Sequence, residues 1–101
     1  MIQHTVSFVL RHPSDSTEER AFLTDAAAIL PAIPGVENFR ISRQVSEKSS
    51  HDFQFSMEFP DAAAYAAYNG HPAHVQFVET RWVPEVADFQ ELDLVPFSRG
   101  R

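Results

Sequence analysis

Apolar and polar residues alternate with a period of two in three stretches of the first sixty residues. From Ile2 to Leu10 every second residue is apolar except for His4, which lies among them on the same face. The third stretch is the most regular and places four large side chains on one face: Phe53, Phe55, Met57 and Phe59. A weaker alternation covers residues 36–45. This period is typical of strands that are buried on one side.

The segments between and after these strands have helical spacing. Apolar residues three and four apart predict a helix from about residue 17 to residue 30, with Ser16 or Asp15 as its N-cap and Glu19 at capping-box spacing. Asp61 precedes an alanine-rich helix that runs through Tyr68, and a further helix is expected from Pro72 to about Thr80 or Trp82, before Pro84. The last strand has imperfect alternation, which predicts either a bulge or burial on both faces; its apolar members are Phe89, Leu92, Leu94 and Val95.

The resulting order, β-α-β-β-α-α-β, predicts an α+β, ferredoxin-like sheet with helices on one face. Residues 1–97 form one domain in this prediction, and residues 98–101 form a frayed tail. The second face of the sheet is left uncovered and includes Val9. We therefore expect a homodimer in which a second copy covers that face.

Composition restricts the classes of function. The chain has 101 residues, a net charge of −6 and no cysteine. Nucleic acids and anionic membranes attract clustered basic residues, so we expect neither as a partner. The chain has no apolar run of membrane-spanning length, and the absence of cysteine fits a reducing compartment, so a cytoplasmic protein is expected.

The segment from Tyr65 to Val78 carries most of the chemistry. Asn69-Gly70 ends one helix and Pro72 begins the next, so a tight corner is expected to bring the Tyr68 hydroxyl near an imidazole. The imidazole of His74 lies just beyond this corner. His4 belongs to the face of the first strand that the helices are expected to cover.

Four features together resemble the stress-responsive A/B barrel domain family: the first strand with His4, the I-P-G-V turn at residues 33–36, the corner Y-N-G-H-P-A-H-V, and the closing L-D-L-V-P. The resemblance implies a dimeric α+β barrel made from two ferredoxin-like sheets. One plant member of the family is a polyketide cyclase, and its catalytic Tyr/His pair and strand histidine match Tyr68, His74 and His4. A pocket tyrosine on its first helix falls on Ala26, so the match fails there.

Imidazole is well suited to moving a proton near neutral pH, and a neutral His74 could remove a proton next to a carbonyl while Tyr68 donates to the enolate. His4 would orient the substrate or tune His74. The alternative is that these residues are hydrogen-bonded core residues without a chemical role. A metal site on His71, His74 and His4 is disfavoured because His71 precedes Pro72 and is expected to cap the helix. We expect no metal and no cofactor.

Three functional interpretations remain open from the sequence. The first is a homodimer with an apolar pocket for an apolar or carbonyl-bearing small molecule, lined by Phe8, Phe22, Phe53, Phe55, Met57, Tyr65 and Phe77. The second is an acid–base enzyme with cyclase-like aldol or proton-transfer chemistry, which uses Tyr68, His74 and His4. The third is a structural dimer whose own side chains fill the core. His12 and His51 are expected to be solvated and receive no chemical role.

Overall fold

The computed structural model describes residues 1–98, so the predicted frayed tail lies outside the described residues apart from Ser98. Four antiparallel strands form one sheet in the order β2-β3-β1-β4. Helices cover one face of the sheet, which confirms the predicted α+β, ferredoxin-like arrangement. The strands are β1 (Ile2–Leu10), β2 (Glu37–Arg43), β3 (Phe53–Phe59) and β4 (Val86–Leu94).

The helical segments follow the predicted order but differ in detail at their ends. They are α1 (Thr17–Ile29), a 3₁₀ turn (Leu30–Ala32), α2 (Ala62–Gly70), α3 (Pro72–Phe77), a π-helical segment (Val78–Trp82) and α4 (Val83–Glu85). Ser16 caps α1 by accepting a hydrogen bond from the Glu19 N–H group, as its spacing predicts. The interpretation of Pro84 as the end of helical structure was wrong. This proline lies in α4, which follows the π-helical segment directly, so helical structure continues through it.

The core consists of aromatic side chains that stand on the covered face of β1 and β3. The Phe8 ring is completely buried and packs edge-on against Phe22, Phe55 and Trp82, with centroids 5.9, 4.6 and 5.1 Å away. Phe53, Phe55, Met57 and Phe59 are all buried, as the regular alternation of β3 predicts. Each such ring contributes about 2 kcal/mol of burial free energy before entropy is subtracted.

The uncovered face of the sheet has an apolar strip along β4. Thr5 lies opposite Leu92 and Gln3 opposite Leu94, so both leucines project from the face away from the helices. They are 52% and 45% exposed. Of the two alternatives predicted for β4, burial on both faces is therefore wrong for the single chain, because the helices cover only the other face of the sheet. The predicted bulge is present, as a register shift at Val9 and Leu10.

Two histidines that were expected to be solvated are instead hydrogen-bonded. His51 is buried, its Nδ1 is 2.8 Å from the Ser7 hydroxyl and its Nε2 is 2.9 Å from an Asp88 carboxylate oxygen. This arrangement ties the loop before β3 to β1 and β4. His12 Nε2 lies 2.8 Å from a Glu85 carboxylate oxygen. Strand-end and loop positions suggested solvent, but β1 and β4 supply the partners of His51, and α4 supplies the partner of His12.

A large-to-small change in the aromatic core should cost much of the stability. Phe8→Ala is expected to lower the free energy of unfolding by about 3–5 kcal/mol, because the site is enclosed on every side and leaves a cavity. Urea denaturation followed by circular dichroism measures the change. Val45→Ala is the control, since Val45 is 86% exposed, and it should shift stability by less than about 0.5 kcal/mol. Equal effects of the two changes would contradict this description of the core.

Candidate functional site

The corner between α2 and α3 depends on two caps. Asp61 accepts a hydrogen bond from the Ala64 N–H group and begins α2. His71 Nδ1 accepts one from the Ala73 N–H group at 3.1 Å and begins α3, which confirms its predicted capping role. The corner brings the rings of Tyr68 and His74 together, with centroids 4.4 Å apart.

The hydrogen bond of His74 sets its tautomer. Its Nδ1 is 3.1 Å from the backbone carbonyl oxygen of Asn69. A carbonyl only accepts, so Nδ1 carries the proton and the neutral ring keeps its lone pair on Nε2. Burial lowers the pKa of His74 below the ordinary histidine value, although the bond to Asn69 and the charge of Glu91 oppose this shift. His74 is therefore neutral at neutral pH.

His4, which stands on β1, is also held through its Nδ1 by an oxygen acceptor. It is 5% exposed, and its Nδ1 is 2.6 Å from an Asp93 carboxylate oxygen, directly across the β1–β4 ladder. The Tyr65 hydroxyl donates to the other Asp93 oxygen at 2.8 Å and lies 3.0 Å from His4 Nδ1. Since a carboxylate accepts, the Nδ1 proton of His4 faces Asp93, and in the neutral ring Nε2 holds the lone pair.

Both tyrosines stay protonated near neutral pH. Burial raises the pKa of Tyr68 well above its ordinary range, and the charges of Tyr65 and Glu91 add to the shift. Burial also raises the pKa of Tyr65, followed by its hydrogen bond to Asp93. Tyr68 is thus available as a hydrogen-bond donor, whereas the proton of Tyr65 is already donated to Asp93.

A cavity of about 290 Å³ lies between the sheet and the helices. Its polar lining side chains are His4, Tyr68, His74 and Glu91, and its apolar ones are Val6, Leu30, Phe55, Met57, Phe77, Val78, Trp82, Val83 and Phe89. The three residues proposed for chemistry from the sequence, His4, Tyr68 and His74, are therefore brought to one space. No Lys or Arg is among the lining side chains of the described part of the chain.

The residues predicted to line a pocket occupy different places in the structure. Phe55, Met57 and Phe77 line the cavity, whereas Phe8, Phe22 and Phe53 pack within the core and are not among its lining residues. Tyr65 lies behind His4 and contacts it through the hydroxyl, with ring centroids 5.1 Å apart.

Two acidic residues of the site, Glu91 and Asp93, were missed from the sequence. They follow Phe89 at intervals of two in β4, and the register places them opposite Val6 and His4 on the covered face. The sequence pattern of this strand is dominated by its leucines, Leu92 and Leu94, which lie on the other face. Strict period-two reading from Phe89 would have found both carboxylates.

The π-helical segment was also missed, and it shapes one wall of the cavity. It extends from Val78 to Trp82 and both of these terminal residues contribute to the lining. Wider helical turns of this kind occur often at functional sites. Arg81, within the same segment, forms ion pairs with Asp25 and Glu85 that hold it against α1 and α4.

Within residues 1–98, no three His, Asp or Glu side chains are grouped in a way that could hold a metal ion. In the same residues, no helix has both the length and the apolar character needed to span a membrane.

The fold and the site define a small α+β domain with a ferredoxin-like sheet and a cavity under its helices. A model of the stress responsive A/B barrel domain matches residues 2–96, and the chain belongs to this family. The resemblance stated from the sequence is thereby confirmed. A search among curated proteins gives no match.

Solved structures support the same assignment. A Mesorhizobium loti protein of this family, with a ferredoxin-like fold, is 57% identical over 96% of this chain and 97% of its own, with a TM-score of 0.95. A dimeric ferredoxin-like protein of unknown function from Thermobifida fusca is 19% identical over 94% and 90%, with a TM-score of 0.77. Hydroxynitrile lyase from Passiflora edulis is 10% identical over 95% and 93%, with a TM-score of 0.81. The last two likenesses show the fold alone.

His74 should titrate below the ordinary histidine pKa of about 6.5, because burial disfavours its charged form. The unfolded chain then binds protons before the folded one does, so stability falls as the pH drops below about 6.5 and levels off below the folded pKa. NMR titration of the imidazole resonances measures the pKa. His74→Asn should remove this part of the pH dependence of unfolding. A His74 pKa at or above 6.5 would contradict the buried environment.

Proposed function

We propose that the protein is a homodimer in which each subunit holds a small, ring-bearing carbonyl compound in the cavity between sheet and helices. The observation that supports this most directly is the cavity itself, which touches His4, Tyr68 and His74 together. A core filled by its own side chains, the third interpretation from the sequence, is disfavoured by this open space. Its volume is near the lower end of the usual range for ligand sites, which is about 300–1,000 Å³.

The apolar strip on the uncovered sheet face supports the dimer. Leu92 and Leu94 stand exposed on that face beside β1. A second copy of the same face would remove both leucines from water and cover the otherwise open sheet. Solved proteins with this fold include dimers, the Thermobifida fusca protein among them. A cytoplasmic location remains part of the proposal.

Charges on the strip should separate the subunits. The wild type is expected to sediment as a dimer at micromolar concentration, and Leu92→Lys combined with Leu94→Lys as a monomer, because four lysines would be buried in the symmetric contact. Analytical ultracentrifugation measures the mass, and circular dichroism checks that the variant is folded. Val45→Lys, in the exposed loop after β2, is the control and should remain dimeric. A monomeric wild type would overturn the dimer.

The cavity wall matches a carbonyl-bearing ring chemically. Aromatic and aliphatic side chains make most of the surface, so an apolar body is favoured. Tyr68 offers a phenolic proton to a carbonyl oxygen, and the neutral His74 offers a lone pair to an acidic C–H group beside it. This pairing of one donor with one base is the arrangement that polarises a carbonyl compound.

The same geometry favours a second candidate function, acid–base catalysis. His74 Nε2 would take the proton from the carbon next to the carbonyl group, and the electron pair would move to the carbonyl oxygen as an enolate. Tyr68 would stabilise that oxygen by donating its hydrogen bond. Return of the proton from His74 to carbon regenerates the ketone. Alternatively, attack of the enolate carbon on a second carbonyl would form a carbon–carbon bond, break the π bond of that carbonyl and transfer the proton from His74 to its oxygen. Hydroxynitrile lyase from Passiflora edulis shares the fold, so enzymes occur on it, but fold alone assigns no reaction.

Hydrogen exchange of a neutral ketone tests both candidates. Phenylacetone in D₂O should bind the wild type and gain deuterium next to its carbonyl faster than in buffer, as measured by mass spectrometry. His74→Asn should slow the protein-dependent exchange by about 10²–10⁴-fold while binding is largely retained, because the base is lost but the wall remains. His12→Asn, outside the cavity, is the control and should exchange like the wild type.

Two outcomes separate the candidates. Binding without accelerated exchange would leave the ligand pocket standing and overturn the acid–base role for this class of compound. Isothermal titration calorimetry measures binding of phenylacetone, and native mass spectrometry detects a ligand that co-purifies. Absence of binding in both measurements would overturn the pocket itself.

A further inference from the structure

Glu91 is an acidic residue in a cavity that is otherwise mostly apolar. Its carboxylate lines the cavity, and one oxygen lies 3.6 Å from Nε2 of His4. That separation is too long for a hydrogen bond. Asp93 holds a proton at Nδ1 of His4, so Nε2 of the neutral ring is itself an acceptor. Two hydrogen-bond acceptors therefore stand side by side at one end of the cavity.

Two acceptors that face one space call for a donor from the ligand. A hydroxyl or N–H group placed between them could donate to His4 Nε2 or to Glu91, whereas a carbonyl oxygen there would find no proton. In the neutral state the described lining residues that can donate are Tyr68, beside the other imidazole, and Trp82 through its indole N–H group. The cavity thus has acceptors at His4 and Glu91 and donors at Tyr68 and Trp82.

The charges of the lining residues also restrict the charge of the ligand. The described lining residues include one carboxylate and no Lys or Arg, and His74 is held neutral by its surroundings. A ligand carboxylate would lie near a like charge with no Lys or Arg to pair with it. The Glu91 side chain is 53% exposed, so solvent screens part of this repulsion, which weakens binding by about tenfold.

We propose that Glu91 is a specificity-determining residue that admits uncharged ligands with a hydroxyl or N–H donor and rejects their carboxylate counterparts. This inference rests on the proposed ligand pocket and adds the class of molecule that the pocket selects. The ligand is an uncharged aromatic compound with a carbonyl group toward Tyr68 and a donor toward Glu91. A carboxylic acid that remains ionised at neutral pH is not its natural occupant.

A matched pair of ring compounds tests the selection. 2-Naphthol carries an uncharged donor and 2-naphthoate carries a carboxylate on the same ring system. Calorimetric titration at pH 8 of the full chain should give a Kd for 2-naphthol at least about tenfold lower than for 2-naphthoate. In Glu91→Gln, which keeps an acceptor but loses the charge, 2-naphthoate should bind about tenfold more tightly and 2-naphthol should change by less than about threefold.

A second variant separates the acceptor from the charge. Glu91→Leu should also admit 2-naphthoate, but it should weaken 2-naphthol by about two- to tenfold because its hydroxyl loses a partner. Glu79→Gln is the control for net charge, since Glu79 is exposed on the π-helical segment and is not among the lining residues. It should leave both affinities as in the wild type.

The possible failures are distinguishable. Binding of 2-naphthol and 2-naphthoate with equal affinity in the wild type and in Glu91→Gln would overturn the selection by Glu91 and leave the pocket standing. An equal gain for 2-naphthoate in Glu79→Gln would also overturn it, because the effect would then come from overall charge. If no variant binds either ring compound while phenylacetone still binds, the selection fails but the pocket does not. If none of the three compounds binds, the pocket fails as well.

Discussion

The covered face of the sheet must be shielded from water, and this requirement organises the rest of the structure. β3 alone presents three phenylalanines and a methionine to that face, and β1 adds Phe8. Leaving these side chains in water would cost about 2 kcal/mol each. Their sum is comparable to the whole free energy of unfolding of a small domain. The helices are held over them by caps at Ser16, Asp61 and His71.

Burial of His4 in this apolar face places a polar, titratable side chain in the wall of the cavity. An imidazole placed there needs a partner, and Asp93 on the neighbouring strand provides it together with Tyr65. The partner occupies one ring nitrogen and fixes the tautomer. His74 is anchored by a different acceptor, the Asn69 carbonyl, with the same result. In the neutral form of each ring, the hydrogen bond at Nδ1 leaves the lone pair on Nε2.

Period-two and helical spacing predicted the strands, the order of elements and the corner at His71, because each depends on residues close in the chain. The convergence of His4 with Tyr68 and His74 followed from the face that each occupies. What the sequence did not reveal depends on register between distant strands. Asp93 meets His4 only because β4 pairs with β1 in one alignment, and His51 is buried only because Ser7 and Asp88 flank it. The cavity volume depends on the π-helical turn at Val78, which no local pattern marks.

Strand β4 joins the two proposed roles of the protein through its alternation. Phe89 and Glu91 face the cavity and Asp93 supports His4, whereas Leu92 and Leu94 face the open side of the sheet. In the proposed roles, alternate residues of β4 therefore serve ligand selection on the covered face and subunit association on the uncovered face. β4 is an edge strand held to the sheet by β1 alone, so a partner that packs on its leucines would also steady Glu91 and Asp93. Dimer formation and the polarity of the cavity are in this sense linked by one strand of nine residues.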